Sequence, residues 1–163
     1  MTHGTILFCR RQSWLSKAIR KVSRSEWSHT SLVLELWGVT YIIEMQRKGI
    51  MLYTYAEWKR LYNYDYIAFE WEWKDDPFMK RKLAHQALKI VGERKKYDFF
   101  MLFVRFPIKI FTGKYYFRGV ENEKKRMVCS QLTAYLHGVD HWWKQSPDSL
   151  HKSILKNVNF KKK

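Results

Sequence analysis

The sequence predicts an α+β domain in which an antiparallel sheet packs against one short buried helix, and three stretches carry that expectation. Residues 28–37 and 39–45 are β-branched and apolar and are parted only by Gly38, so they read as an antiparallel hairpin. A third strand, 49–55, follows the turn at Arg47-Lys48-Gly49. In Met127-Val-Cys-Ser-Gln-Leu-Thr-Ala-Tyr-Leu-His137, Val128, Leu132 and Leu136 recur every four residues and Gly138 offers a C′ stop, which is the pattern of a buried helix. Asp75-Asp76-Pro77 opens a longer helix, with acids at its start and Pro where a missing N–H costs least; Leu83, Ala84, Ala87, Leu88, Ile90 and Val91 form its inner stripe.

The remaining elements follow in chain order. Residues 5–10, after Gly4, are a short apolar strand. Trp14, Leu15, Ala18, Ile19 and Val22 fall at helical spacing among Lys17, Arg20, Lys21 and Arg24, giving an amphipathic helix with a basic outer face. Residues 56–62 make one or two helical turns, and 64–73 a further strand. The aromatic segment 99–106 is kinked or ended by Pro107. Residues 109–126, basic, aromatic and punctuated by glycine, read as a mobile loop. Ser146 caps a last helix with Pro147 at its first position, and a basic tail runs from about residue 157. No internal repeat or linker divides the 163 residues, so one domain is expected, burying roughly two-thirds of its unfolded surface.

Composition narrows the functional classes. Cys9 and Cys129 lie far apart and form neither a zinc spacing nor a disulfide framework, which points to free thiols and a reducing compartment. No stretch approaches the ~18 apolar residues of a membrane span, and the N-terminus lacks a signal-peptide pattern. A soluble, cytoplasmic, monomeric protein without a cofactor is the expectation, with export by a signal-less route left open. The 31 Lys and Arg against 15 Asp and Glu give a net charge of +16, which calls for an anionic partner: a wall polymer, a membrane surface or nucleic acid.

Cys129 carries the chemistry. It stands at the opening turn of its helix, where unpaired N–H groups favour a thiolate below the ~8.5 of a free thiol. A cysteine nucleophile needs a base, and the base needs an orienting partner. His29 opens a strand in Trp-Ser-His-Thr-Ser, and Glu44 stands in the neighbouring strand among apolar residues, where an unpaired carboxylate is costly. Both lie away from the turn near Gly38 and can meet across the hairpin. Glu35, nearer that turn, is the fallback. His137 and His141 resemble a metal pair only superficially, because Gly138 breaks the helix between them. His85 sits inside a long helix, and His3 and His151 are expected to be exposed.

Taken in order, the Gly-initiated strand, the basic helix, Ser-His29, Ile-Ile-Glu44, Tyr97-Asp98, Val-Cys129-Ser-Gln-Leu and Ser-Pro147-Asp-Ser-Leu150 resemble the circularly permuted branch of the papain-like, NlpC-type cysteine amidases. That resemblance spans Gly4 to about Leu155. It implies a permuted papain-like fold with Cys129 as nucleophile, His29 as base and Glu44 as its orienting residue. It also implies Tyr97 near the site and the Cys129 N–H in the oxyanion hole. Two departures stand out: Thr5 follows Gly4 where relatives usually carry Asp, and Gln131 stands where many have Glu. The activity implied is hydrolysis of an amide of the peptide or cell-wall type through a thioacyl-enzyme.

Two rivals remain. In one, the same enzyme takes lipid ester bonds, favoured by the aromatic, apolar and basic run 99–111, which has the makeup of an interfacial segment. In the other, the chain is a non-catalytic module in which Phe111, Tyr115, Tyr116 and Phe117, interleaved with basic residues, stack on nucleic acid.

Overall fold

The computed structural model describes residues 1–23, 25–62, 64–93, 95–113, 120–156 and 160–162. Its centre is an antiparallel six-stranded sheet in the order β4-β3-β2-β1-β5-β8. The strands are β1 (Ile6–Arg10), β2 (His29–Leu36), β3 (Val39–Gln46), β4 (Gly49–Thr54), β5 (Asp65–Trp71) and β8 (Phe160–Lys162). Helix α1 (Trp14–Ser23) connects β1 to β2, and α2 (Tyr55–Leu61) connects β4 to β5. The long α3 (Pro77–Gly92), α6 (Cys129–Leu136) and α7 (Pro147–Lys156) lie further on. A short parallel pair, β6 (Lys96–Tyr97) with β7 (Arg126–Met127), stands apart from the sheet and delivers the chain into α6.

The pleat sorts the side chains into two cores, because alternate residues of a strand face opposite sides. Ile6, Phe8, Leu32, Leu34, Ile43 and Met45 pack with Leu83 and Ala87 of α3 and with Cys129, Leu132 and Leu136 of α6. On the other face Leu7, Cys9, Val33 and Ile42 pack around Trp58 of α2. The β2–β3 register pairs Leu32 with Ile43, so Ser31 falls beside Glu44, with His29 one pleat further along the same strand.

Several expectations hold at the level of single residues. Asp76 caps α3, accepting from the Phe78 and Met79 amides at 2.8 and 2.9 Å, with Pro77 behind it. Gly138, at φ 64°, ends the turn after α6. Gly4 is required twice over: its φ is 79°, and a Cβ there would stand 2.4 Å from the Trp71 ring.

Other expectations are corrected. Within 109–126 the structure has helix, not loop: α4 (Phe106–Thr112), α5 (Val120–Lys125) and then β7, while 114–119 lie outside the described residues. Pro107 does not end the helix: it stands at the second position of α4 in a helical stretch that runs on from a π-helical turn at Met101–Arg105, so the chain changes its helical geometry next to the proline and continues. The basic tail from about 157 contains β8, which pairs with β5 through Trp71 and Phe160. Trp14 is exposed instead of lying in the inner stripe of α1, and His3 is buried, its Nδ1 accepting from the Glu35 amide at 3.0 Å. Among the described residues no helix is long and apolar enough to cross a membrane.

Replacing Asp76 with Ala leaves two first-turn amides of α3 without their acceptor. Urea unfolding should show a loss of ~1 kcal/mol with an unchanged m-value.

Candidate active site

Glu44 is the most heavily bonded side chain of the sheet. It is buried, and an isolated carboxylate there would be expelled or neutralised. Instead it collects donors from five side chains. His29 Nε2 donates to Oε2 at 2.8 Å and Ser31 Oγ at 2.6 Å; Trp58 Nε1 approaches the same oxygen at 3.3 Å. Arg11 Nη2 reaches both oxygens at 3.1 Å, and Gln46 Nε2 donates to Oε1. Burial alone would raise the carboxyl pKa, but the charge and hydrogen bond of His29, with Arg11 and Ser31, outweigh it and hold Glu44 well below the usual carboxylate range.

Arg11 is held in turn. Its guanidinium lies over the rings of Tyr64 and Tyr62, 4.6 and 5.4 Å from their centroids, and those rings stack on each other. Gln46 also donates to the Tyr62 hydroxyl at 2.9 Å, which in turn lies 3.2 Å from that of Tyr53.

With Nε2 committed to Glu44, the other ring nitrogen of His29 is left for a second partner, and Cys129 lies near enough for each group to act electrostatically on the other. Both are nearly fully buried, at 4 % and 3 % exposure. Burial pushes the Cys129 thiol up, but the His29 charge and hydrogen bond, the Thr30 amide and Arg11 more than reverse it, so the thiol lies below its ordinary value. Burial and Arg11 push His29 down, while Cys129 and Glu44 push harder the other way, so the imidazole lies above its ordinary value. The pair thus favours thiolate and imidazolium. Cys9 has no such partner. Burial and the nearby Glu44 charge push its thiol far up, out of reach of neutral pH.

The start of α6 is fixed from several sides. Gln131 Oε1 accepts the Val128 amide at 2.9 Å, and its Nε2 donates to the Trp143 carbonyl, so Gln at this position serves as a cap. Ser130 Oγ donates to the Gln145 carbonyl at 2.7 Å, and the Thr133 and Thr30 hydroxyls, 3.1 Å apart, tie the helix to β2. Before the helix, the Asp98 amide donates to the Met127 carbonyl at 3.0 Å and Asp98 Oδ1 accepts from Met101. Tyr97, paired with Met127 in the small sheet, lines a cleft of about 160 Å³ together with His29, Ser28, Arg11, Leu15 and Phe99. Burial and the Cys129 charge push its phenol up.

Of the expected site residues, His29 and Glu44 meet through a hydrogen bond, Cys129 lies near enough for His29 to influence its thiol, and Tyr97 stands on the cleft wall. Glu35 does not join them: it stands nearer the other end of β2, 3.5 Å from Lys80. Arg11, Ser31, Trp58 and Gln46 were missed. Arg11 follows a strand directly, and Ser31 and Gln46 lie two residues from His29 and Glu44; on a strand that spacing means the same face, which was the available signal. A larger cavity of about 580 Å³ lies elsewhere, lined by His85, Lys89, Lys95, Lys124 and Lys125. His137 is buried against Trp71 and Phe160, with burial and His3 lowering its pKa to about 3. Among the described residues no three His, Cys, Asp or Glu side chains are grouped to hold a metal ion.

No family model matches the chain, and no curated protein does. Among solved structures, the chain is similar to the metalloprotein yiiX of Escherichia coli O157:H7, with a TM-score of 0.61 and 19% identity over 97% of this chain and 84% of that one. That likeness shows a shared α+β fold. It overturns the expected membership of the permuted papain-like, NlpC-type amidases, since the structure found is described as a metalloprotein and not as a peptidase of that kind. The physical reason is that each motif behind the resemblance is short. A histidine opening a strand or a cysteine opening a helix meets local needs of sheet and cap, so such motifs do not by themselves define a family.

Truncating Glu44 to Ala strands Arg11 and His29 and should cost ~3–5 kcal/mol at pH 7. A carboxyl held below its unfolded pKa of ~4.3 contributes stability that is present above that value and is lost as pH falls toward its folded pKa. The difference in unfolding free energy between wild type and Glu44→Ala should therefore narrow as urea titrations move from neutral pH into acid.

Proposed function

We propose that the chain is a cysteine-dependent hydrolase acting on a carbonyl substrate, with Cys129 as nucleophile, His29 as general base and acid, and Glu44 orienting the imidazole. The observation that supports this reading most is the hydrogen bond of His29 Nε2 to the buried Glu44 carboxylate, beside a Cys129 thiol that the neighbouring His29 draws below its usual pKa. The Cys129 thiolate attacks the carbonyl carbon of an amide or ester, and the carbonyl electron pair moves to oxygen. The Cys129 N–H, at the first turn of α6, is a donor for that oxyanion. The tetrahedral adduct collapses, the carbon–nitrogen or carbon–oxygen bond breaks, and His29 gives its proton to the leaving group. A water then loses its proton to His29, attacks the thioester and releases the acid, restoring the thiolate and imidazolium. Tyr97 borders the cleft by which substrate would approach.

The substrate we favour is an amide of the peptide type, with a lipid acyl ester as the alternative. An anionic polymer or surface as partner is supported by the net charge of +16 and by the lysine-lined cavity. Of the aromatic residues behind the nucleic-acid reading, Tyr115, Tyr116 and Phe117 lie outside the described residues. The described residues do not match the word metalloprotein in the yiiX description: no three His, Cys, Asp or Glu side chains among them are grouped to hold an ion, and both Glu44 oxygens already carry protein donors.

Labelling with a small thiol electrophile tests the proposal. Wild-type Cys129 should react below the ordinary thiol range, whereas Cys9 should not, and Cys129→Ala should abolish the reaction at pH ~6. Because Cys129 is lowered and His29 raised, turnover should rise with the first ionisation, hold across the ion-paired window and fall as His29 loses its proton. Glu44→Gln should lower turnover on the order of 10²-fold. Equal labelling of both thiols would contradict the proposal.

A further inference from the structure

The helical stretch from Phe99 to Thr112 reverses the usual burial. Its one described cationic side chain, Arg105, is 1 % exposed, held by Glu123 at 2.6 and 3.1 Å and 3.8 Å from Asp98. Met101 is buried, but six other apolar side chains are exposed. Phe100, Val104, Ile108 and Phe111 recur every three or four residues on one face, with Phe99 and Phe103 stacked along its edge, and Phe111 is 84 % exposed. A water-facing helix normally does the reverse, and contiguous apolar surface of this kind marks a place where something binds.

Beside it lies α1, which contacts α4. Trp14, 77 % exposed, and the exposed Lys17 and Lys21 follow one another at helical spacing along α1. Neither α1 nor residues 99–113 contain an acidic residue. The cleft over His29 opens between these two elements, with Leu15 and Ser16 on one wall and Phe99 on the other.

We propose that this face, the outward side of residues 99–112 with the Trp14–Lys17–Lys21 edge of α1, docks onto an anionic lipid surface. Phenylalanine, valine and isoleucine enter the boundary between headgroups and acyl chains, Trp14 sits at headgroup level, and the α1 lysines meet lipid phosphates. Charge selects this occupant. A second copy of a chain carrying +16 would bring two acid-free faces together. A nucleic acid would find the α1 lysines, but the exposed phenylalanine, valine and isoleucine side chains beside them suit acyl chains and not a phosphate backbone. The docking stands on geometry apart from the chemistry of Cys129.

Co-sedimentation of the full chain with phosphatidylcholine vesicles, with and without phosphatidylserine, tests it. Binding should require phosphatidylserine, weaken with salt and shift tryptophan emission to shorter wavelength. The variant Phe100→Ser/Phe103→Ser/Phe111→Ser, at exposed positions, should keep the wild-type circular dichroism and melting profile while losing at least about tenfold in bound fraction. Lys17→Glu/Lys21→Glu should lose the phosphatidylserine preference. Wild type remaining in the supernatant, or the triple variant binding as well as wild type, would overturn the proposal. So would a wild-type dimer that the triple variant disperses, which would assign the face to a second copy.

Discussion

The arrangement depends on burying one carboxylate. Glu44 sits in the middle of the sheet with no access to water, and the donors that make this tolerable come from different parts of the chain: Arg11 after β1, His29 and Ser31 on β2, Gln46 on β3 and Trp58 on α2. Each is drawn to the same two oxygens because a buried charge left unpaired costs several kcal/mol. Satisfying Glu44 therefore aligns the ends of three strands with the connection between β4 and β5. The second core, with Trp58 stacked on Tyr55 and edge-on to Tyr64 and Tyr66, forms an apolar jacket around that charge. It keeps the local dielectric low, and the same low dielectric makes the His29 contact strong.

From the carboxylate the constraint passes through the ring of His29 to the opposite layer. Glu44 holds one imidazole nitrogen, and the nitrogen that remains is free to act toward the start of α6, where Cys129 responds to the His29 charge. The helix is pinned independently by Gln131, Ser130, Thr133 and the Tyr97–Met127 pairing, so the sulfur comes to the ring without rearrangement. The thiol is drawn below its ordinary value chiefly by His29, with the Thr30 amide and Arg11 adding to it. Arg11 thus acts on both ends, drawing Glu44 and Cys129 toward their anions while opposing the imidazolium between them.

Elements defined by local chemistry were legible in the sequence. The capped start of α3 at Asp76-Pro77, the hairpin around Gly38 and the Cys129 helix closed by Gly138 all rest on short-range pattern, and the apolar neighbours of Glu44 announced a carboxylate that needed a partner. Contacts set by tertiary packing were hidden. Nothing in Arg10-Arg11 says which arginine turns inward, since that is decided by the side of the sheet on which β1 ends. Residues 99–112 were legible only in part. Their aromatic, apolar and basic makeup suggested an interfacial segment kinked or ended at Pro107, but not that the ion pair of Arg105 with Glu123 turns the charge inward and leaves most described apolar side chains exposed. The ordered motifs read as a family signature are each short, and each meets a local need of sheet or cap.

The central claim is that His29 and Cys129 share one charge-separated pair held by Glu44, and it is tested most directly by following the ring C–H signals of His29 by NMR across pH in wild type and in Cys129→Ala. The expected result is a wild-type His29 that stays protonated above the ordinary imidazole value of ~6.5, and a midpoint that falls when the thiolate is removed. A His29 midpoint that is the same in both proteins, or at or below the ordinary value in wild type, would contradict the account.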